Sequence, residues 1–246
     1  MSPILCVIIF VVNFISYFVK GVAGFGDPLI SSPLLSMVLE NKVISPNNLL
    51  LNTPLNGYIA WKNRRAFSLK ATLPILAFIL LGVIPGTLML KYAASWVLKA
   101  GLGVLILGIG VEMITRDLSK PITNNNMVMA LACFCSGITS GLYGINLFFV
   151  AYVERTAKGR EEFRGNICFV FFIENVFRII VYALNGVITR DVLLLAAISL
   201  PGMLFGFLTG SVTDKRLSDR AVRNIVITMF MLGGFSILLR ALIWRV

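Results

Sequence analysis

The stretch GVAGFGDPLISSPLL, Gly21 to Leu35, interrupts a strongly apolar run with three glycines, an aspartate and two prolines, and a faint copy, GLYGINLFFVAYV, begins at Gly141, about 120 residues later. Setting Gly21 against Gly141 also pairs Gly24 with Gly144, Phe14 with Phe134, Ser16 with Ser136, Gly82 with Gly202 and Gly86 with Gly206, all without a gap. A repeat of this kind means that the chain is built as two related halves. Each half breaks its backbone inside an apolar segment, which survives only where the break is buried in protein or lines a watery cavity.

The surrounding solvent follows from composition. Hydrophobic residues make up 58% of the chain and charged residues 13%, with a mean hydropathy of +0.90. This describes a polytopic helical membrane protein, not a soluble domain. The first apolar run, Pro3 to Val19, has no basic region before it and no small-residue cleavage site after it, so it is expected to remain as a span. The net charge of +11 lies in short connections between apolar runs, where lysine and arginine set membrane orientation, so nucleic acid is not an expected partner. Cys6, Cys133, Cys135 and Cys168 fall inside apolar segments without metal-ligand spacing, and the chain has no histidine. They read as packing residues, and no metal or cofactor is expected.

Apolar segments run over about 3–20, 27–39, 43–61, 71–90, 95–115, 127–140, 145–153, 165–185, 192–211 and 222–243, five in each half. Most approach the ~20 residues of a helical span, but 27–39 and 145–153 are short and each follows a glycine break. Segments 3–39 and 127–153 therefore read as helical hairpins turning within the membrane. The expected fold is all-α, with about eight to ten membrane segments in two repeats, 1–120 and 121–246, forming a single transmembrane domain.

Charge placement orients it. Counting hairpin members separately places Lys20 and the basic clusters of 62–70, 116–120, 155–164 and 215–223 on one face. Only Lys42, Lys91, Lys99, Arg190 and Arg245 fall on the other. Counting each hairpin as one crossing makes the split nearly even. The positive-inside rule thus favours an odd number of passes per repeat, inverted-topology repeats and both termini outside. Whether each hairpin crosses fully or re-enters is left open by parity, since both put its ends on one side.

Helices broken near the midplane present unpaired N–H groups and the positive end of a helix dipole, a site suited to an anion. Gly24, Gly26 and Gly144 allow the turn and a close approach of ligand to backbone. Asp27-Pro28 reads as an N-cap followed by proline at the first helical position, and Asn146 as the corresponding cap in the second copy. Asp27 either caps its helix or carries a proton or contacts substrate. Ser31, Ser32 and Ser140 are hydrogen-bond donors to an anion or small helix-packing residues. Segment 165–185 carries Glu174, Asn175 and Arg178 at a cost of ~3 kcal/mol per charge at the helix centre. Glu174 and Arg178, spaced i,i+4, form either a structural ion pair or a proton carrier beside an anion ligand. Asn52, Thr53 and Asn56 occupy the equivalent span of the first half. With a one-residue shift Asn56 aligns with Asn175, so the two are expected to face each other across a pseudo-two-fold axis, or each to pack a helix. Lys20 is expected to snorkel to the cytoplasmic face if segment 3–20 spans fully, or to lie deep and attract anions if the hairpin re-enters; Arg240 can also snorkel near its own span end.

The paired breaks, GVAGFGDPLISSPLL and SGITSGLYGIN, resemble the duplicated signatures of the TauE/SafE family of sulfite and organosulfur-anion transporters, and the resemblance covers essentially the full length. Gly21, Gly24, Gly26, Pro28 and Pro33 match the first motif, and Gly137, Ser140, Gly141 and Gly144 the second. The resemblance implies a permease of the cytoplasmic (inner) membrane carrying sulfite, a sulfonate or a related anion. The chain departs from the family's glycine run at Asp27 and at Asn146-Leu147. An acidic residue beside an anion site repels the ligand unless protonated, which points to proton coupling or a different substrate.

The expected function is secondary transport of a small anion by alternating access, with an anion channel as the alternative; saturable flux separates the two. No GxxxxGK[ST] phosphate loop is present, and no histidine or paired intramembrane aspartates supply enzyme chemistry. The expected substrate contacts are Gly24, Gly26, Asp27, Asn56, Ser140, Gly144, Asn146, Asn175 and Arg178, with Asp27 and Glu174 as proton-coupling candidates. The expected partners are a small anion and the lipid bilayer, and the reading is compatible with a homo-oligomer.

Overall fold

The computed structural model describes residues 3–65, 69–115, 126–144 and 160–213, together with Asn146, Phe149, Val150, Val153, Thr228, Met231, Phe235, Leu238 and Leu239. The basic connections expected at 116–120 and 215–223, Arg155, Lys158, Arg240, Arg245 and most of the expected span 222–243 lie outside the described residues. Among those residues the regular elements are α-helices: α1 (Pro3–Ala23), α2 (Asp27–Ser36), α3 (Asn41–Lys62), α4 (Leu69–Tyr92), α5 (Ser95–Thr115), α6 (Asn126–Tyr143), α7 (Arg160–Leu184) and α8 (Arg190–Thr213). They fall where the apolar segments predict them. Four, over Pro3–Ala23, Thr72–Tyr92, Glu161–Leu184 and Arg190–Thr213, are long and apolar enough to cross a membrane. Hydroxyls within helices are satisfied by bonding back to the preceding turn, as Ser16 does to the Val12 carbonyl and Thr209 to that of Phe205.

The chain forms two compact units. One comprises Met1–Asn48, Ala93–Asp117 and Thr189–Val246, the other Leu49–Tyr92 and Leu118–Ile188. Helix α3 contributes its first turns to one and its remainder to the other.

In the first unit α1 lies along α8. Gly202, Gly206 and Gly210 of α8 press against the carbonyls of Phe10, Phe14 and Phe18 of α1, and the two numberings rise together, so the helices run parallel. A Cβ at Gly202 would sit 2.6 Å from the Phe10 oxygen, and one at Gly21 2.7 Å from that of Phe207. Only a stripe of small residues allows such approach, which in lipid substitutes for the missing hydrophobic drive. Helix α2 turns back along α1. Its Leu35 joins Ile9 and Val12 of α1, Ile44 of α3 and Leu195 of α8 in one buried cluster, so α1 and α2 form an antiparallel hairpin, not one interrupted crossing.

In the second unit α4 lies along α6 in the same manner. Gly82 meets the Phe134 carbonyl, Gly86 that of Ile138, Gly137 that of Ile79 and Gly141 that of Val83, again in parallel. Helix α7 packs on α4, and its Phe172 ring covers Gly57 of α3.

These contacts correct the expected register. With Phe14 matched to Phe134 and the two breaks superimposed, the packing equivalent of Gly82 is Gly206 and that of Gly86 is Gly210, one helical turn beyond the gapless pairing. The reason lies in the stripe itself. Gly202, Gly206 and Gly210 repeat every four residues, so neighbouring registers look alike in sequence, and only the carbonyl opposite each glycine tells them apart.

Candidate anion site at the helix breaks

At the first break Gly24 and Gly26 take φ of 87° and 96°, a left-handed backbone that favours glycine. The Gly24 N–H closes the last turn of α1 on the Lys20 carbonyl (2.7 Å). Gly26 occupies the N-cap of α2 and Asp27 is its first helical residue, which corrects the expectation that Asp27 caps with Pro28 following. The Asp27 carboxylate turns instead to the Lys20 ammonium, 2.9 Å away, with the two side chains 1% and 2% exposed. Lys20 therefore does not snorkel: the short glycine turn brings a buried counter-ion to it. Each charge also sits at the helix end that favours it, the cation in the last turn of α1 and the anion in the first turn of α2. The Tyr17 hydroxyl, also buried, lies beside the same carboxylate but outside hydrogen-bond geometry. One turn along α2, Ser31 and Ser32 accept hydrogen bonds from Asn48 Nδ2 at 2.9 and 3.2 Å, and Asn47 donates to Asn48 Oδ1. The two serines thus meet an asparagine of the same unit.

The second break is built differently. Gly144 has φ of 75° and closes α6 on the Ser140 carbonyl, as Gly24 closes α1. Asn146 takes the N-cap position, since its carbonyl accepts the first helical bond, from Val150 N–H at 3.0 Å. Ser136 Oγ accepts from Phe149 N–H (3.4 Å) while donating to Asn146 Oδ1 (3.3 Å), and the Asn146 amide N–H₂ points at α7.

It points at Glu174. Asn146 Nδ2 donates to Glu174 Oε2 at 2.7 Å, Ser140 Oγ donates to Oε1 at 2.5 Å, and Arg178 Nη1 lies 3.5 Å from Oε1 and donates to Ser140 Oγ at 3.2 Å. Arg178 Nη2 reaches the Tyr182 hydroxyl at 3.1 Å, which in turn donates to the Gly141 carbonyl at 2.5 Å in the last turn of α6. Glu174 and Arg178 are 0% and 2% exposed. Donors from two chain segments and a guanidinium therefore converge on one carboxylate.

The structure thus gathers Ser140, Asn146, Glu174 and Arg178 into one site beside the Gly144 turn, and Gly24, Gly26 and Asp27 into another with Lys20. No hydrogen bond joins Asn56 to Asn175: both are buried in the same unit, and Asn56 Oδ1 and Asn175 Nδ2 lack partners among the described residues. Nearby, Gly57 of α3 lies under the Phe172 ring of α7. Sequence reading missed Tyr182 and Ser136. Glu174, Arg178 and Tyr182 form an i, i+4, i+8 stripe, and Ser136 and Ser140 are one turn apart, so helical spacing carried the signal for both. Among the described residues no group of His, Cys, Asp or Glu gathers that could hold a metal ion, and none of the four cysteines forms a disulfide.

Apolar helices broken at left-handed glycines, with buried and mutually satisfied charges beside each break, define a polytopic α-helical membrane protein whose polar chemistry is internal. Within that class the chain belongs to the TauE/SafE family of membrane transporters: the family model described as "Sulfite exporter TauE/SafE" matches residues 9–237, nearly its whole length. No curated protein and no solved structure matches it.

Proposed function

We propose that this protein is a secondary carrier that moves a small oxyanion, sulfite or a sulfonate or related organosulfur compound, across the cytoplasmic membrane by alternating access. The observation that carries the reading is the grip on Glu174, whose carboxylate is bound as a ligand oxyanion would be: by a hydroxyl, an amide and a guanidinium beside a helix start. Sulfite and sulfonates present the same kind of acceptor oxygens. Ser140, Asn146 and Arg178 are the substrate donors in this reading, with Gly144 shaping the turn; Gly24, Gly26 and Asp27 form the related break, and Asn56 and Asn175 offer unpaired polar groups in the same unit as the cradle.

The reading includes two inverted repeats, 1–120 and 121–246, with both termini outside. It is supported by the packing within each unit, where a break-bearing helix of one half lies parallel to the glycine-striped helix of the other. The test is flux in liposomes, with sulfite, thiosulfate and short sulfonates as probes. Uptake is expected to saturate, and Arg178→Ala or Asn146→Ala to abolish it. Transport unchanged in both variants removes the site.

A further inference from the structure

The cradle at the second break is already full. Glu174 takes both its carboxylate oxygens to donors, Oε1 to Ser140 and Arg178 and Oε2 to Asn146. These are the groups that an incoming oxyanion would need. Among the described residues the charged group facing the carboxylate is Arg178, from its own helix. Helix α6 presents Ser140 and the segment beyond the break Asn146, both uncharged, and the Tyr182 hydroxyl is committed to Arg178 and the Gly141 carbonyl. On α3 and α4, Tyr58, Lys62, Lys91 and Tyr92 are exposed. Cys133 and Tyr143 of α6 are buried but make no hydrogen bond to the carboxylate.

We propose that Glu174 is a tethered competitor for the transported anion: ionised, it fills the cradle of Ser140, Asn146 and Arg178; protonated, it releases them, so that one proton enters for each anion bound. The proposal rests on the reading of this cradle as the substrate site. Its charge balance is closed. The empty site holds a carboxylate and a guanidinium; the loaded site holds a carboxylic acid, the guanidinium and a monovalent anion. Both states are neutral, as a buried site that must reorient within lipid requires, whereas an anion beside ionised Glu174 would leave an uncompensated buried charge. The two breaks are not equivalent in this respect. Asp27 is held by a closer ion pair, with each partner at the helix end that stabilises its charge. Glu174 is held mainly by neutral donors, with its cation at 3.5 Å, so that one anion can replace another there without breaking a close ion pair.

The experiment uses the full chain purified in detergent and methanesulfonate as probe, because its sulfonate keeps its charge across the neutral range. Wild-type protein is expected to take up about one proton per anion bound and to lose affinity about tenfold per pH unit once Glu174 is ionised. Glu174→Gln is expected to bind without proton uptake, with an affinity independent of pH and about tenfold or more tighter than wild type at neutral pH; in liposomes its flux should respond to membrane potential where that of wild type does not. Binding by wild type without proton uptake, or an unaltered pH dependence in Glu174→Gln, overturns the tether while leaving the cradle. If Arg178→Ala binds as wild type does, or wild type binds no methanesulfonate at any pH, the cradle itself falls. The proton count is made on unaltered protein, so the tether can fail even if Glu174→Gln does not fold.

Discussion

Lys20 and Asp27 are seven residues apart in sequence and 2.9 Å apart in space. On an unbroken helix, seven residues are a rise of about 10 Å, too far for an ion pair. The pair therefore exists because Gly24 and Gly26 fold the chain between them, and a reading that follows each helix separately assigns the lysine to the surface and the aspartate to a cap. The same limit hid the grip on Glu174: its i,i+4 partner Arg178 is legible from spacing, but Ser140 and Asn146 approach from another part of the chain. A buried pair that loses one member leaves an uncompensated charge at about 3–5 kcal/mol. Asp27→Ala and Lys20→Ala are each expected to destabilise by that order, and Lys20→Met with Asp27→Leu together by much less, measured as reversible unfolding in detergent. Additive losses in the double variant would show that the two side chains act independently. Ser136 offers a second check at this scale. It satisfies both Phe149 N–H and Asn146 Oδ1, so Ser136→Ala should cost about 1–3 kcal/mol and loosen Asn146, weakening anion affinity, whereas Thr209→Ala, which removes a hydroxyl bonded within its own helix, should leave affinity unchanged.

Helix positions follow closely from the apolar runs, because lipid leaves a chain no other way to satisfy its backbone. Their partners do not, since a glycine stripe marks a face for close approach without saying which turn of which helix it meets. At Gly82 the approach is to backbone: a Cβ there would collide with the Phe134 carbonyl, and neither helix can move aside as a side chain would. Gly108 of α5 faces open space. Gly82→Val and Gly206→Val are expected to separate α4 from α6 and α1 from α8, costing about 1–3 kcal/mol or more through overpacking, while Gly108→Ala is expected to be neutral. The yield of monodisperse protein on size exclusion and the midpoint of thermal unfolding distinguish the cases. Full stability in Gly82→Val would mean that the backbones are not in contact there.

At the scale of the whole chain, the halves seen in sequence and the units seen in space divide the molecule differently. Residues 1–120 and 121–246 share their breaks by sequence, yet each compact unit draws elements from both: α1, α2, α5 and α8 in one, α4, α6 and α7 in the other. Such an exchange fits the proposed inverted duplication, in which each break-bearing helix packs on a parallel helix from the other half. The charge asymmetry predicts how the proposed arrangement is oriented in the membrane. The end of α3 and the turn after it carry Lys62, Arg64 and Arg65, while the turn between α7 and α8 carries no basic residue before Arg190, the first of α8, so the two turns should face opposite sides of the membrane. With Cys6, Cys133, Cys135 and Cys168 replaced by alanine or serine, a single cysteine at Asn63 is expected to resist an impermeant thiol reagent in intact cells and to react in inverted vesicles. One at Asn185 is expected to do the reverse. Labelling of both from the same side would leave the two halves uninverted, and the parallel packing of α1 with α8 and of α4 with α6 would then need a different topological cause.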